Sequence, residues 1–154
     1  ELFIAGDNIM MGYYNAPDMT DKVLKDGWFA SGDLAYFDTK GRIVITGRAK
    51  DLIIHKGFNI YPQEIENVIL SHANVIRVGV IGEPDESTGE VVVAYVQLRE
   101  KDDKAEREIK ALCMRDLAPY KVPRTFICDT RELSTTATGK VDKKKIRAEH
   151  SRSS

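Results

Sequence analysis

At 154 residues, 42% hydrophobic and 31% charged, the chain carries enough apolar material for one ordinary domain with its own core. A formal net charge of −1 gives no electrostatic reason to expect nucleic acid as a partner, and only Lys140 to Arg147 is locally basic. The longest apolar run, Val91 to Val96, is far too short to span a bilayer, and no secretory signal pattern opens the sequence.

Leu2-Phe3-Ile4 reads as a short strand, Asp7-Asn8 as a turn and Asn15-Ala16-Pro17-Asp18 as another. Met19 to Leu24 has the composition of one or two helical turns. Asp26-Gly27 turns the chain into Trp28-Phe29. Leu34 to Phe37 and Arg42 to Thr46 flank Asp38-Thr39-Lys40-Gly41, a hairpin with glycine where positive φ is needed. A charged turn at Arg48-Ala49-Lys50-Asp51 follows, then a short apolar strand, Leu52-Ile53-Ile54, and a glycine turn, Lys56-Gly57-Phe58-Asn59.

Pro62 suits the first position of a helix, and Ile65, Val68 and Ile69 give Pro62 to Ser71 one apolar face. Val75 to Ile81 and Glu90 to Leu98 read as strands separated by an exposed loop, Gly82 to Gly89. Asp103 with Glu106 forms a capping pattern for a second helix bearing Ile109, Leu112 and Cys113, and Pro119 stops it. Arg124 to Cys128 reads as a third strand, and Asp142 can cap a last short helix carrying Ile146. These elements make an α+β unit with a short, mainly antiparallel sheet and packed helices. Cys113 and Cys128 share no metal-like or redox spacing and read as buried thiols in a reducing cytosol. His55, His72 and His150 share no metal-ligand spacing either, so no metal site is expected.

The densest stretch is Gly47 to Glu66, GRAKDLIIHKGFNIYPQEIE. It resembles the core signature of the adenylate-forming superfamily, which includes acyl-CoA synthetases, peptide-synthetase adenylation domains and luciferases. Further matches follow the family's order: Gly12-Tyr13-Tyr14-Asn15 with Pro17 and Thr20, Trp28 to Asp33, Leu117 to Pro123, and Thr138-Gly139-Lys140. The whole pattern resembles the C-terminal portion of an acyl-CoA synthetase of the medium- and long-chain fatty-acid ligases. The resemblance implies that residues 1–49 are the β-rich end of a large N-terminal AMP-binding domain. Residues 50–154 would be the mobile C-terminal domain, with Lys50 as hinge. The chain starts at Glu1 rather than Met and is expected to be a piece of a longer protein, inactive by itself, with the N-terminal domain as its main intramolecular partner.

Asp33 follows a glycine after an aromatic strand, where a carboxylate can accept from both ribose hydroxyls. Taken alone, Gly-Asp is more often a simple turn; the resemblance assigns Asp33 to the ribose of ATP or AMP, and Arg48 to the ribose or phosphate edge. Gly57 suits positive φ; the resemblance adds that its missing side chain lets a pantetheine arm pass, with Phe58 and Asn59 on the CoA side. Some relatives place an arginine where this chain has the neutral Asn59. Luciferases place a lysine at Ile54, which argues against their chemistry here.

Thr138-Gly139-Lys140 is not a Walker-type phosphate loop, because Ser134 stands where that motif needs glycine and Val141 where it needs Ser or Thr. Without context, Lys140 among Lys143, Lys144 and Lys145 would be a solvated charge. The resemblance makes it the catalytic cation that neutralises carboxylate and α-phosphate as they react. The implied reaction joins a carboxylic acid, expected to be a fatty acid, to ATP with Mg, giving acyl-AMP, and then passes the acyl group to CoA. A cytoplasmic enzyme is expected, with peripheral membrane contact of the full protein left open. The alternatives are an adenylation domain loading an acyl or aminoacyl group onto a carrier protein, and a non-catalytic interaction module.

Overall fold

Turn chemistry builds the first fifty residues in the computed structural model, which describes residues 1–150. Strands β1 (Phe3–Ile4), β2 (Leu24–Lys25) and β3 (Trp28–Ala30) form a small antiparallel sheet in the order β1-β3-β2. Asp26 and Gly27, at φ 50° and 80°, make the two-residue turn that joins β2 to β3, a geometry that matches the twist of the strands it connects. Helix α1 (Pro17–Val23) starts two residues before the expected Met19, because Pro17 takes the first helical position, where its missing N–H costs nothing. Strands β4 (Asp33–Phe37) and β5 (Ile43–Arg48) form the expected hairpin, and β5 runs on through Gly47 and Arg48. Its turn is held by Asp38, whose Oδ1 accepts from the N–H groups of Lys40 and Arg42 at 2.8 and 2.9 Å.

Packing divides the chain after Lys50, into Glu1–Lys50 and the part from Asp51 onward. Lys50 itself lies in a 3-10 turn, Ala49–Asp51.

The second unit is a mixed sheet of β6 (Ile53–His55), β7 (Phe58–Ile60), β8 (Val75–Asp85), β9 (Gly89–Leu98) and β10 (Thr125–Asp129). All of its pairings are antiparallel except β9 with β10. Helices α2 (Pro62–Leu70), α3 (Ala105–Asp116) and α4 (Lys143–His150) complete an α+β fold. Side chains alternate across the sheet. Val78, Val80, Val92, Ala94, Val96 and Phe126 point into a core with Ile65 and Ile69 of α2 and Ile109 and Cys113 of α3. Ile81, Val93 and Tyr95 point the other way, where Ile146 of α4, Val141 and Leu133 cover them. Cover on both faces explains why β9 reads as continuous Val-Val-Val-Ala-Tyr-Val rather than as polar-apolar alternation.

Three local expectations are corrected. The loop foreseen over Gly82 to Gly89 shrinks to Glu86-Ser87-Thr88, because β8 continues through Pro84 to Asp85. Among the described residues β8 pairs with β9 alone, and an edge strand tolerates a residue without an N–H. Asp102, not Asp103, sets the start of α3: its Oδ1 accepts from Lys104 N–H at 2.9 Å, and no side chain caps the helix. Cys113 is fully buried, whereas Cys128 is only half-buried; burial raises both thiols to about 11, away from reactive thiolate character.

Candidate functional site

Asp33 opens β4 and Arg48 closes β5, and the hairpin register sets them opposite one another. Arg48 Nε forms an ion pair with Asp33 Oδ1 at 2.8 Å, and its Nη1 donates to the Ser31 carbonyl at 3.2 Å. Ser31 fixes the approach from the other side. Its hydroxyl donates to the Leu2 carbonyl at 2.8 Å and accepts from Asp33 N–H at 3.1 Å. Gly32, at φ 73°, turns β3 into β4, and its carbonyl accepts from Ala49 N–H at 2.8 Å. Among the described residues no partner engages Asp33 Oδ2. One carboxylate oxygen is thus committed to a guanidinium and the other can accept from a hydroxyl.

In the second unit, Lys56 and Gly57, at φ 51° and 81°, form the two-residue turn between β6 and β7. Phe58 and Asn59, expected in the turn, are instead the first residues of β7. A Cβ built on Gly57 would meet nothing within 4 Å. Phe58 is 53% exposed and stacks on Tyr120, with centroids 4.7 Å apart and planes at 25°. Lys121 Nζ lies 5.8 Å from the Tyr120 ring and bonds both Glu64 carboxylate oxygens at 2.7 Å. The hairpin is tied to the sheet by Glu90, whose Oε2 accepts from Ile54 N–H at 2.7 Å and whose carbonyl accepts from His55 Nδ1 at 2.6 Å. Below it, the Asp85 carboxylate accepts from Ser87 and Thr88 hydroxyls and from Arg124 Nη1. Those hydroxyl bonds, Ser87 first, hold its pKa well below the usual carboxylate range.

Lys140 ends a separate small hairpin. Thr136 N–H donates to the Lys140 carbonyl at 2.7 Å, Gly139 N–H donates to the Thr136 carbonyl at 2.9 Å, and Thr135 bridges Val141. The Lys140 side chain is exposed, and among the described residues its ammonium has no ion pair or hydrogen bond. Asp142 caps α4 as expected, its Oδ1 accepting from Lys144 and Lys145 N–H at 3.1 and 3.2 Å. Gly79 lets this segment seat closely, since a Cβ there would lie 2.9 Å from Val141 Cγ1 and 3.1 Å from Ile146 Cδ1.

The structure therefore brings Asp33 and Arg48 together, groups Gly57, Phe58 and Asn59 on one hairpin, and sets Lys140 on another. Sequence reasoning missed Glu66, whose Oε1 accepts from Val80 N–H at 2.9 Å and pairs with Lys143 Nζ at 2.7 Å. No local pattern joins residues so far apart in the chain.

Residues 64–140, half of the chain, match the model of the AMP-binding enzyme C-terminal domain. The chain belongs to that family. A long-chain-fatty-acid–CoA ligase of Yersinia pestis is 43% identical over 97% of this chain and 26% of its own length. A sulfoacetate–CoA ligase of Cupriavidus necator is 41% identical over 95% of this chain and 29% of its own. Among solved structures, o-succinylbenzoate CoA synthetase of Bacillus subtilis, in complex with an acyl-adenylate intermediate, superposes with a TM-score of 0.85 at 35% identity. That match covers 94% of this chain and 29% of the other. The chain thus spans roughly a quarter to a third of the length of these adenylate-forming relatives. No helix among the described residues is long and apolar enough to cross a membrane.

Proposed function

We propose that this chain is the C-terminal portion of an AMP-forming acyl-CoA synthetase. The whole protein would activate a carboxylic acid with ATP to acyl-AMP and then pass the acyl group to CoA. Residues 1–49 are read as the end of the large N-terminal domain and residues 50–154 as a mobile domain turning at Lys50. Asp33 and Arg48 would hold the nucleotide ribose, and Gly57, with Phe58 and Asn59, would border the CoA arm. Lys140 would stabilise the charge that develops between carboxylate and α-phosphate.

The observation that carries this reading is the state of Lys140. Lysines on protein surfaces are mostly exposed and solvated. This one stands on a hairpin closed by backbone bonds and seated against β8 over Gly79, with its ammonium uncommitted. A fixed backbone with a free cation suits charge stabilisation in a transition state. Among the described residues there is no group of three or more His, Cys, Asp or Glu side chains able to hold a metal ion. Magnesium usually binds through one or two carboxylates and the phosphates of its nucleotide, and the Mg that accompanies ATP would be held mostly by the N-terminal domain.

The acid is proposed to be a fatty acid, as in the name of the Yersinia pestis relative. The nearly equal likeness to a sulfoacetate ligase makes a panel of acids, short and polar to long and apolar, the direct test of that finer point. The roles are tested by Lys140→Ala in the full-length protein. Acid-dependent ATP–pyrophosphate exchange should fall about 10²–10³-fold, the scale of losing one oxyanion donor. Thioester formation from supplied acyl-AMP should persist. Equal losses in both half-reactions would make Lys140 structural and remove the reading.

A further inference from the structure

Among the described residues β8 pairs with β9 alone, so the backbone groups along its other edge have no strand partner there. One of them, Val80 N–H, donates to Glu66 Oε1 at 2.9 Å, and the same oxygen receives Lys143 Nζ at 2.7 Å. Both side chains are largely covered, at 17% exposure for Glu66 and 20% for Lys143. Glu66 stands on α2, whose Ile65 and Ile69 pack on one face of the sheet. Lys143 opens α4, whose Ile146 packs on the other face. The carboxylate therefore joins two helical layers around a free sheet edge.

This junction sits three residues beyond Lys140. Between them, Val141 lies against Gly79, and Asp142 N–H donates to the Ser134 carbonyl at 2.8 Å. We propose that Glu66 and Lys143 are positioning residues for Lys140, their ion pair fixing the start of α4 and so the direction from which the Lys140 hairpin projects. The proposal rests on the reading of Lys140 as the cation of the adenylation step. Lysine's long stem does not orient itself, so its backbone anchor must. A misplacement of about 1 Å at a reacting group can cost about 100-fold in rate. A solvated lysine beside a structural one would need no such anchor. Here the anchoring lysine is the covered one, and the catalytic candidate is the one left free.

The test uses the full-length enzyme and reads the two half-reactions separately. Lys143→Met should lower acid-dependent pyrophosphate exchange about 10- to 100-fold while thioester formation from supplied acyl-AMP stays near wild type. Lys143→Arg, which can reach the same carboxylate, should restore most of the exchange. Glu66→Gln keeps an acceptor for Val80 N–H and removes only the charge, so it serves if Lys143→Met folds poorly; it should shift exchange in the same direction, by less. Hydrogen–deuterium exchange should rise several-fold in peptides spanning Thr136 to Ile146 and stay unchanged in β9. If Lys140→Ala selectively loses adenylation while Lys143→Met and Glu66→Gln keep it, the positioning role is overturned and the reading of Lys140 stands. If Lys140→Ala itself keeps adenylation, that reading falls and takes this proposal with it. If both half-reactions fall together and β9 also exchanges faster, the pair merely stabilises the fold, which overturns the proposal as well.

Discussion

Asp33 and Arg48 face each other at the open end of the β4–β5 hairpin, with Arg48 Nε 2.8 Å from Asp33 Oδ1. A register shift between Leu34 and Ala35 creates this pairing. Ala35 pairs Ile45, so an unbroken ladder would set Gly47, not Arg48, against Asp33. The bulge re-aims one side chain, as bulges beside functional sites do. If Asp33 holds ribose hydroxyls in the full-length enzyme, Asp33→Ala should weaken ATP binding by about 1.5–3 kcal/mol, the scale of hydrogen bonds to a charged group. Thermal stability should hardly move, because half-exposed ion pairs contribute about 0–1 kcal/mol. An unchanged KM for ATP would remove Asp33 from the nucleotide site.

Gly57→Leu separates a path for the thiol from a requirement of the fold. The residue sits at φ 81°, where a side chain costs about 1–2 kcal/mol of backbone strain, yet a Cβ would meet no neighbour. The variant should fold, with a modestly lower melting temperature. In the full-length enzyme its pyrophosphate exchange should stay near wild type while CoA-thioester formation falls sharply. Thioester formation at the wild-type rate would exclude Gly57 from the CoA path.

Asp85 gives the second unit a pH dependence of definite sign. Its folded-state pKa is pulled below the ordinary 3.8 by Ser87 and Thr88. The unfolded chain therefore takes up the proton first as pH falls. The stabilisation is fully present above 3.8 and is lost below it, toward the lower folded value. Urea midpoints of wild type and Asp85→Ala should differ at pH 7 and converge as the pH drops below 3.8. A gap that stays constant across that range would mean Asp85 acts through loop shape alone.

The sequence made the core legible through the helical period of α2 and through the unbroken apolar run of β9. Ile65 and Ile69 recur at helical spacing on α2, and even and odd positions of β9 go to opposite faces. It hid the length of β8, because Gly82 and Pro84 are breakers everywhere except on an edge strand. Gly82 leaves room for close packing, since a Cβ there would lie 2.6 Å from Glu90 Oε1 and 3.1 Å from Ile53 Cγ2. The candidate site shows the same divide. Asp33, Arg48, Gly57 and Lys140 fall in short spaced motifs and could be named from them. Glu66 with Lys143, and Phe58 with Tyr120, are joined only by tertiary packing between distant segments. Nothing in the local sequence pairs Glu66 with Lys143 or Phe58 with Tyr120.

Lys50→Pro tests whether one unit can present Lys140 for the first half-reaction and Gly57 for the second. The division of the chain falls after Lys50, within the 3-10 turn Ala49–Asp51. A 3-10 turn takes φ of about −50° to −70°, which includes the value proline imposes, so the substitution suits the local backbone at Lys50. The conflict falls on Ala49, because a residue before proline is pushed from helical to extended geometry. Ala49 is also held by its bond to the Gly32 carbonyl at 2.8 Å, so the strain concentrates on one peptide at the proposed pivot. A hinge works by absorbing φ and ψ changes at a few such residues, and fixing one of them restricts the enzyme to a subset of poses. Pyrophosphate exchange by the full-length variant should remain near wild type, while CoA-thioester formation should fall by orders of magnitude. Lys50→Ala, which removes the charge and leaves the backbone free, should spare both half-reactions. If Lys50→Pro slows both alike with folding intact, or if Lys50→Ala reproduces the proline defect, the residue acts by its charge or its contacts, and the pivot lies elsewhere in the chain.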